Sequence, residues 1–296
     1  MPSDSARSLD HLVLPVAELA YARRRLTDLG FTVAADGEHP FGTANCCVYF
    51  ADGTFLEALA VADEIAIDAA VAVDNQFVVR DRAFRGLAGA QGFSAIALAS
   101  NDASADDEAF RLAGISAGPA LDFSRQFIDS YGRADQASFR LAFAADAASV
   151  LPFFFTCQVV HAPAVDRTAL KQHANGVSGI RNILLAAAEP AVHAGFLTAF
   201  LGGEPRDIGA AELDYSLANV DVTILSRNRI ADFLGAQPDE HTFGLDPEAI
   251  VFGCGDINAT RSVLDAGAAE HYMRDGMIIV PPATGQGAHF VFETSA

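Results

Sequence analysis

The chain has 296 residues, 51% of them apolar, and its 38 acidic against 19 basic side chains leave a formal charge of -19. That length can form two domains of about 150 residues, each with a sizeable core. The charge repels a phosphate backbone or an anionic membrane surface, and no segregated basic patch interrupts it, so neither nucleic acid nor membrane is expected as a partner.

The opening Met1-Pro2-Ser3-Asp4-Ser5-Ala6-Arg7 lacks the basic start and long apolar core of a secretory leader. No apolar run approaches the ~18 residues that span a bilayer. The mean hydropathy of +0.24 reflects abundant alanine. A cytoplasmic protein is the expectation, and Cys46, Cys47, Cys157 and Cys254, with no CxxC spacing, read as buried reduced thiols.

The first predicted strand, 9–16, is apolar apart from Asp10 and His11. Segment 16–29 places Leu19, Tyr21, Leu26 and Leu29 near helical spacing, with Arg23, Arg24 and Arg25 on a polar side and Gly30 as the stop. Strands are predicted at 31–35, 44–50 and 54–61, the last two joined by the turn signal Asp52-Gly53. The last carries Glu57 between Leu56 and Ala58, and burying a carboxylate there costs several kcal/mol unless it is paired, protonated or metal-bound.

Residues 62–91 read as an insertion with a helix over 77–87. The order strand, helix, strands then recurs from Phe93, from Gly179 and from Ala249, each helix being followed by glycine. Asn101 or Asp102 caps the second copy's helix. Four units of one architecture indicate internal duplication. One unit cannot cover its own sheet, so pairs should enclose a cavity. The expected domains are 1–164 and 176–296, with the polar 166–173 between them and a turn at His173-Ala174-Asn175-Gly176.

Leu9-Asp10-His11-Leu12-Val13 and Gly53-Thr54-Phe55-Leu56-Glu57 resemble the first and fourth strands of the vicinal oxygen chelate superfamily, and within it the glyoxalase-like proteins. Phe154-Phe155-Thr156-Cys157-Gln158 with His161-Ala162-Pro163 is similar to the same group. The resemblance implies an α+β fold of four βαβββ modules paired into two glyoxalase/dioxygenase-like domains. It also implies a divalent metal held by first- and fourth-strand residues of two modules.

Carried over residue by residue, His11 and Glu57 fall on two ligand positions. Ala95 and Thr156 occupy the other two, with Gln158 on the face of Thr156. The implied metal residues are therefore His11, Glu57 and Gln158, with His161 as an alternative third donor, and the ion Zn, Fe, Mn or Ni. Without a metal, His11 and Glu57 could act as an acid–base pair.

Phe155 could line an apolar pocket. Asn45, His39 and Arg125 fall at turn or strand-edge positions near the mouth, where an arginine can orient a substrate carboxylate. Asn182 falls where His11 does and Glu293 where Glu57 does, so the second domain reads as scaffold, or as the wall of a homodimer or cavity. The expected function is a glyoxalase-like isomerase or lyase acting on a small molecule with adjacent oxygens. The other reading is a metal-free protein that sequesters an apolar small molecule.

Overall fold

The structure is a computed structural model and describes residues 6–128, 134–163, 165–209, 211–237 and 243–295. Ala164, the expected end of the first domain, lies outside them. The first half runs β1 (Leu9–Pro15), α1 (Leu19–Asp28), β2 (Gly37–Glu38), β3 (Thr43–Tyr49) and β4 (Phe55–Val61). It continues with α2 (Glu64–Ala72), α3 (Gln76–Ala88), β5 (Ala95–Ala99), α4 (Ala103–Leu112), β6 (Leu121–Ile128), β7 (Ala134–Ala144) and β8 (Phe153–His161).

The second half repeats the pattern with β9 (Val177–Ala187), α5 (Ala194–Leu201), β10 (Asp207–Gly209), β11 (Glu212–Ser216), β12 (Asp221–Ser226) and α6 (Arg227–Leu234). It ends with β13 (Asp246–Cys254), α7 (Ile257–Ala266), β14 (Tyr272–Arg274), β15 (Met277–Val280) and β16 (His289–Thr294). Each half forms one eight-stranded sheet of matching order, β2-β3-β4-β1-β5-β8-β7-β6 and β10-β11-β12-β9-β13-β16-β15-β14. The expected α+β architecture of paired modules is present.

Strand alternation divides each sheet into two faces. Leu12, Leu14, Val48, Leu56, Ile96 and Phe154 join one large core that also holds Ile183, Leu185, Phe252 and Phe290 of the second half. Helices of each half pack on the sheet of the other. Phe196 and Phe200 of α5 lie 4.9 and 5.1 Å from Phe154, and Phe31, just past α1, meets Phe252 and Phe292 at 5.5 and 6.2 Å. The two sheets thus share a helical layer, and their opposite faces are left for separate, smaller apolar clusters.

Several sequence expectations shift. The segment 31–35 is not a strand: Arg23 donates to the carbonyls of Val33 and Ala34, which replaces ladder bonds there. Its backbone meets β3 through Ala34 N donating to Cys47 O at 2.8 Å, and regular ladder pairing there begins at Gly37 and Glu38. The insertion holds two helices, with Asp63 capping α2 through the amides of Ile65 and Ala66. Asp102, one of the two expected caps, does cap α4, through Ser104 and Ala105, and Gly176 closes the turn between the two halves at φ 72°. All four cysteines are buried and free.

Candidate functional site

On the free face of the first sheet, β1 and β4 run parallel with His11 opposite Phe55 and Val13 opposite Glu57. His11 and Glu57 are therefore diagonal neighbours on one face. His11 Nε2 lies 3.5 Å from Glu57 Oε2. Both residues are almost fully buried, at 5% and 4% exposure. The two strands bring the expected pair together inside one hollow.

A second imidazole completes the group. His39 lies in the turn between β2 and β3, and its Nε2 is 3.7 Å from the other oxygen, Glu57 Oε1. Each ring is held through its remaining nitrogen: His11 Nδ1 lies 2.6 Å from Asp10 Oδ2, and His39 Nδ1 lies 2.9 Å from Thr43 Oγ1. Phe55 stacks on His11 at 4.5 Å, and Phe41 on His39 at 5.0 Å. These contacts fix both ring planes.

Asn45 of β3 donates to Glu57 Oε1 at 2.5 Å and accepts from Arg125 Nη1 at 3.3 Å. Arg125 comes from β6 at the far edge of the sheet, so the sheet curls far enough for its first and last strands to meet. Gly37 makes room for the guanidinium, because a Cβ there would sit 2.5 Å from Arg125 Nη1. Arg125 also lies over the Phe139 ring, at 5.7 Å from its centroid.

The two imidazoles are driven in opposite directions. Burial works to lower His11, but the hydrogen bond and charge of Asp10, with Glu57 behind it, prevail and raise its pKa. Burial lowers His39 to about 4, against the pull of Glu57 and with Arg125 and His11 adding to the descent. At neutral pH His39 is therefore an uncharged imidazole beside the carboxyl group. Burial also pushes the Cys47 thiol up to about 12 and Cys157 well above its ordinary value, so neither is a ready nucleophile.

The hollow has a volume of about 480 Å³ and is walled by Phe41, Phe55, Phe77, Phe123, Phe139 and Phe155. Phe155 and Arg125 both line this hollow. Gln158 and His161 do not. Gln158 is on the helical side of β8, accepting from Ala103 N and donating to Asn101 O at the start of α4. His161 is exposed and its Nε2 lies 3.4 Å from Asp135.

Thr156 is likewise on the buried helical side, its hydroxyl without a partner among the described residues. His39, placed by sequence only near the mouth, contacts Glu57 directly, and Asp10 was not singled out at all. Asp10's adjacency to His11 was the available signal, since a flanking carboxylate commonly orients an imidazole.

The second sheet has its own hollow, lined by Asn182, Asp221 and Glu293 among others. Asn182 is opposite Asp221, so the register places Thr223, and not Glu293, where Glu57 stands in the first sheet. Asn182 donates to Thr223 Oγ1 at 3.1 Å. Among the described residues, no group of three or more His, Cys, Asp or Glu side chains is spaced to hold a metal ion. Nor is any helix long and apolar enough to cross a membrane.

No curated protein matches the chain. Among solved structures, a hypothetical protein from Staphylococcus aureus is similar over 97% of this chain and 99% of its own, with TM-score 0.69 and 13% identity. A triple mutant of 4-hydroxymandelate synthase from Streptomyces coelicolor is similar over 100% of this chain and 95% of its own, with TM-score 0.60 and 13% identity. A fusion of a xylose isomerase-like TIM barrel with 4-hydroxyphenylpyruvate dioxygenase matches 98% of this chain and 49% of its own, with TM-score 0.55 and 14% identity.

At such identities these likenesses establish a shared fold alone. The family model of the glyoxalase-like domain matches residues 9–201, most of the chain. With the sheet order and the curled first sheet already described, that match assigns the family: the chain belongs to the glyoxalase-like domain proteins.

Proposed function

We propose that the chain is a small-molecule isomerase or lyase of the vicinal oxygen chelate type, working by proton transfer at Glu57 in the phenylalanine-walled hollow. One observation carries this reading: two imidazoles of opposed pKa shift approach the two oxygens of one buried carboxyl group. Glu57 is the base that removes a proton from carbon. His11, oriented by Asp10, is the acid that returns one to oxygen, and His39 stays neutral beside them. Asn45 fixes the carboxyl orientation, and the aromatic walls keep water away from the reacting atoms.

By residue type the donors suit a divalent ion, but His11, His39 and Glu57 are not spaced as a ligand set in this structure. Two Nε2 atoms and a carboxylate suit Zn, Fe, Mn or Ni, and Asp10 and Thr43 occupy the second nitrogen of each ring, as outer-shell partners of ligating histidines do. His11, His39 and Glu57 would hold the ion only by drawing closer together than they stand here. Once bound, it would supply Lewis-acid polarisation of adjacent substrate oxygens.

Two measurements test the reading. Metal content of protein purified without chelator should exceed that of His11→Ala, His39→Ala and Glu57→Ala, and equal content removes the metal. Proton exchange into pyruvate, phenylpyruvate and hydroxyacetophenone in heavy water, followed by NMR, should be accelerated by the wild type and not by Glu57→Gln. Equal exchange by the two proteins on every probe removes the proton-transfer role.

A further inference from the structure

Three cations line the hollow: Arg125 from β6, and Arg167 and Lys171 from the connector between the two sheets. In a chain with twice as many acids as bases, none of the three has a carboxylate within ion-pair distance among the described residues. The acids sharing the wall are already engaged. Asp10 is on His11, Glu57 is contacted by His11, His39 and Asn45, and Asp166 accepts from the Thr168 amide at 2.8 Å.

The two guanidinium groups are held in place by neutral partners. Arg125 is anchored by the Asn45 carbonyl and the Phe139 ring, in the space left by Gly37. Arg167 lies 4.6 Å over Tyr49. Tyr49 in turn is 5.3 Å from Phe55, the ring that stacks on His11, so the connector is linked to the proton-transfer group through a column of rings. Behind Lys171, His173 fastens the connector by accepting from Thr32 N and donating to Tyr49 O.

Guanidinium groups fixed by neutral partners keep donors free for an incoming anion, and the planar fork matches a carboxylate. We propose that the hollow takes a small organic acid, its carboxylate bound by Arg125 with Arg167 and Lys171 and its apolar body lying among the phenylalanines. The aromatic walls favour a singly charged carboxylate over a phosphate ester. This deepens the proposed function by naming the substrate class, and it makes the connector part of the binding site of the first sheet.

The test is calorimetric titration of the full chain with phenylacetate, its neutral analogue phenylacetamide, and phenyl phosphate. Phenylacetate should bind about tenfold or more tightly than the amide, corresponding to about 1.4 kcal/mol. Arg125→Met and the double variant Arg167→Met with Lys171→Met should erase most of that preference, weakening acid binding far more than amide binding. Arg125→Lys should retain part of it.

Gly37→Ala, which displaces the guanidinium without removing its charge, should also reduce the preference and guards against misfolding of the arginine variants. Acid and amide binding equally, no binding of the acid at millimolar concentration, or a preference untouched by every variant overturns the proposal. Tighter binding of phenyl phosphate overturns its carboxylate identity. The readout is binding, so it separates from the chemistry. A preference for the acid in a wild type that shows no heavy-water exchange supports the anion site and counts against proton transfer. Glu57-dependent exchange without any acid preference does the reverse.

Discussion

Arg125 and Asn45, 80 residues apart in sequence, meet through a 3.3 Å hydrogen bond that joins the last strand of the first sheet to the strand beside its opposite edge. The same Asn45 side chain holds Glu57, so closing the hollow and orienting its carboxyl group are one structural event.

Replacing Asn45 with leucine leaves Glu57 Oε1 without that donor and releases the Arg125 guanidinium. A buried polar group stripped of a partner costs about 1–3 kcal/mol. Asn45→Leu should lower unfolding free energy by that amount in urea titrations, and it should weaken carboxylate binding as well. Wild-type values for both would show that the bridge is incidental.

The two imidazoles should leave opposite marks on stability. His39 has a folded pKa of about 4 against an ordinary 6.5, so the unfolded chain takes up its proton first on acidification. Its contribution is complete above pH 6.5 and disappears as pH falls towards 4, a loss on the order of 3 kcal/mol. His11 is raised, so its contribution is complete below 6.5 and is lost as pH rises through the folded value. Chemical denaturation across pH should show the acidic slope reduced in His39→Asn and the upper one reduced in His11→Asn. Slopes identical to wild type would contradict the assignment.

Asp10 and Thr43 touch the ring nitrogens that face away from Glu57. Asp10→Ala and Thr43→Val leave all three proposed metal ligands in place, yet loss of such outer partners typically costs about 10–100-fold in metal affinity. Competition against a chromophoric zinc chelator measures this directly. Unchanged affinity in both variants would mean that the rings are not oriented for an ion.

The joint between the halves should be rigid and sensitive to volume. Phe31→Ala removes a ring packed against Phe252, Phe290 and Phe292 and should cost about 3–5 kcal/mol. At Gly267, behind α7, a Cβ would lie 1.9 Å from the Asp28 carbonyl oxygen, which is backbone and cannot swing aside. Gly267→Ala should therefore lose about 1–3 kcal/mol by forcing α1 and α7 apart. Thermal midpoints within a degree of wild type for both would show that the contact between the halves contributes little.

His11 and Glu57 were legible because both sit on strands whose neighbours set the face by alternation, and the fourfold repeat predicted how those strands meet. The error at Gln158 has an equally local cause. Phe153, Phe154 and Phe155 are all apolar, so the run carries no sign of which face looks into the hollow. Thr156 and Gln158 do share a face, but it is the helical one.

His39 lies in a turn, where no periodicity reports direction, and it reaches Glu57 only because the chain doubles back through Gly37 and Glu38. Strand β6 lay in a stretch with no repeat signal and was not predicted. Yet Leu121, Phe123 and Arg125 alternate there as an inward face should.

The second sheet supports the first with its convex side, through Phe252, Phe290 and Phe292, while its own hollow looks the other way. Asn182 and Thr223 can therefore change identity without disturbing the bed on which Glu57 rests. One copy of the duplicated unit serves as foundation, and its bowl carries a different lining, with Asn182 and Thr223 at the positions of His11 and Glu57.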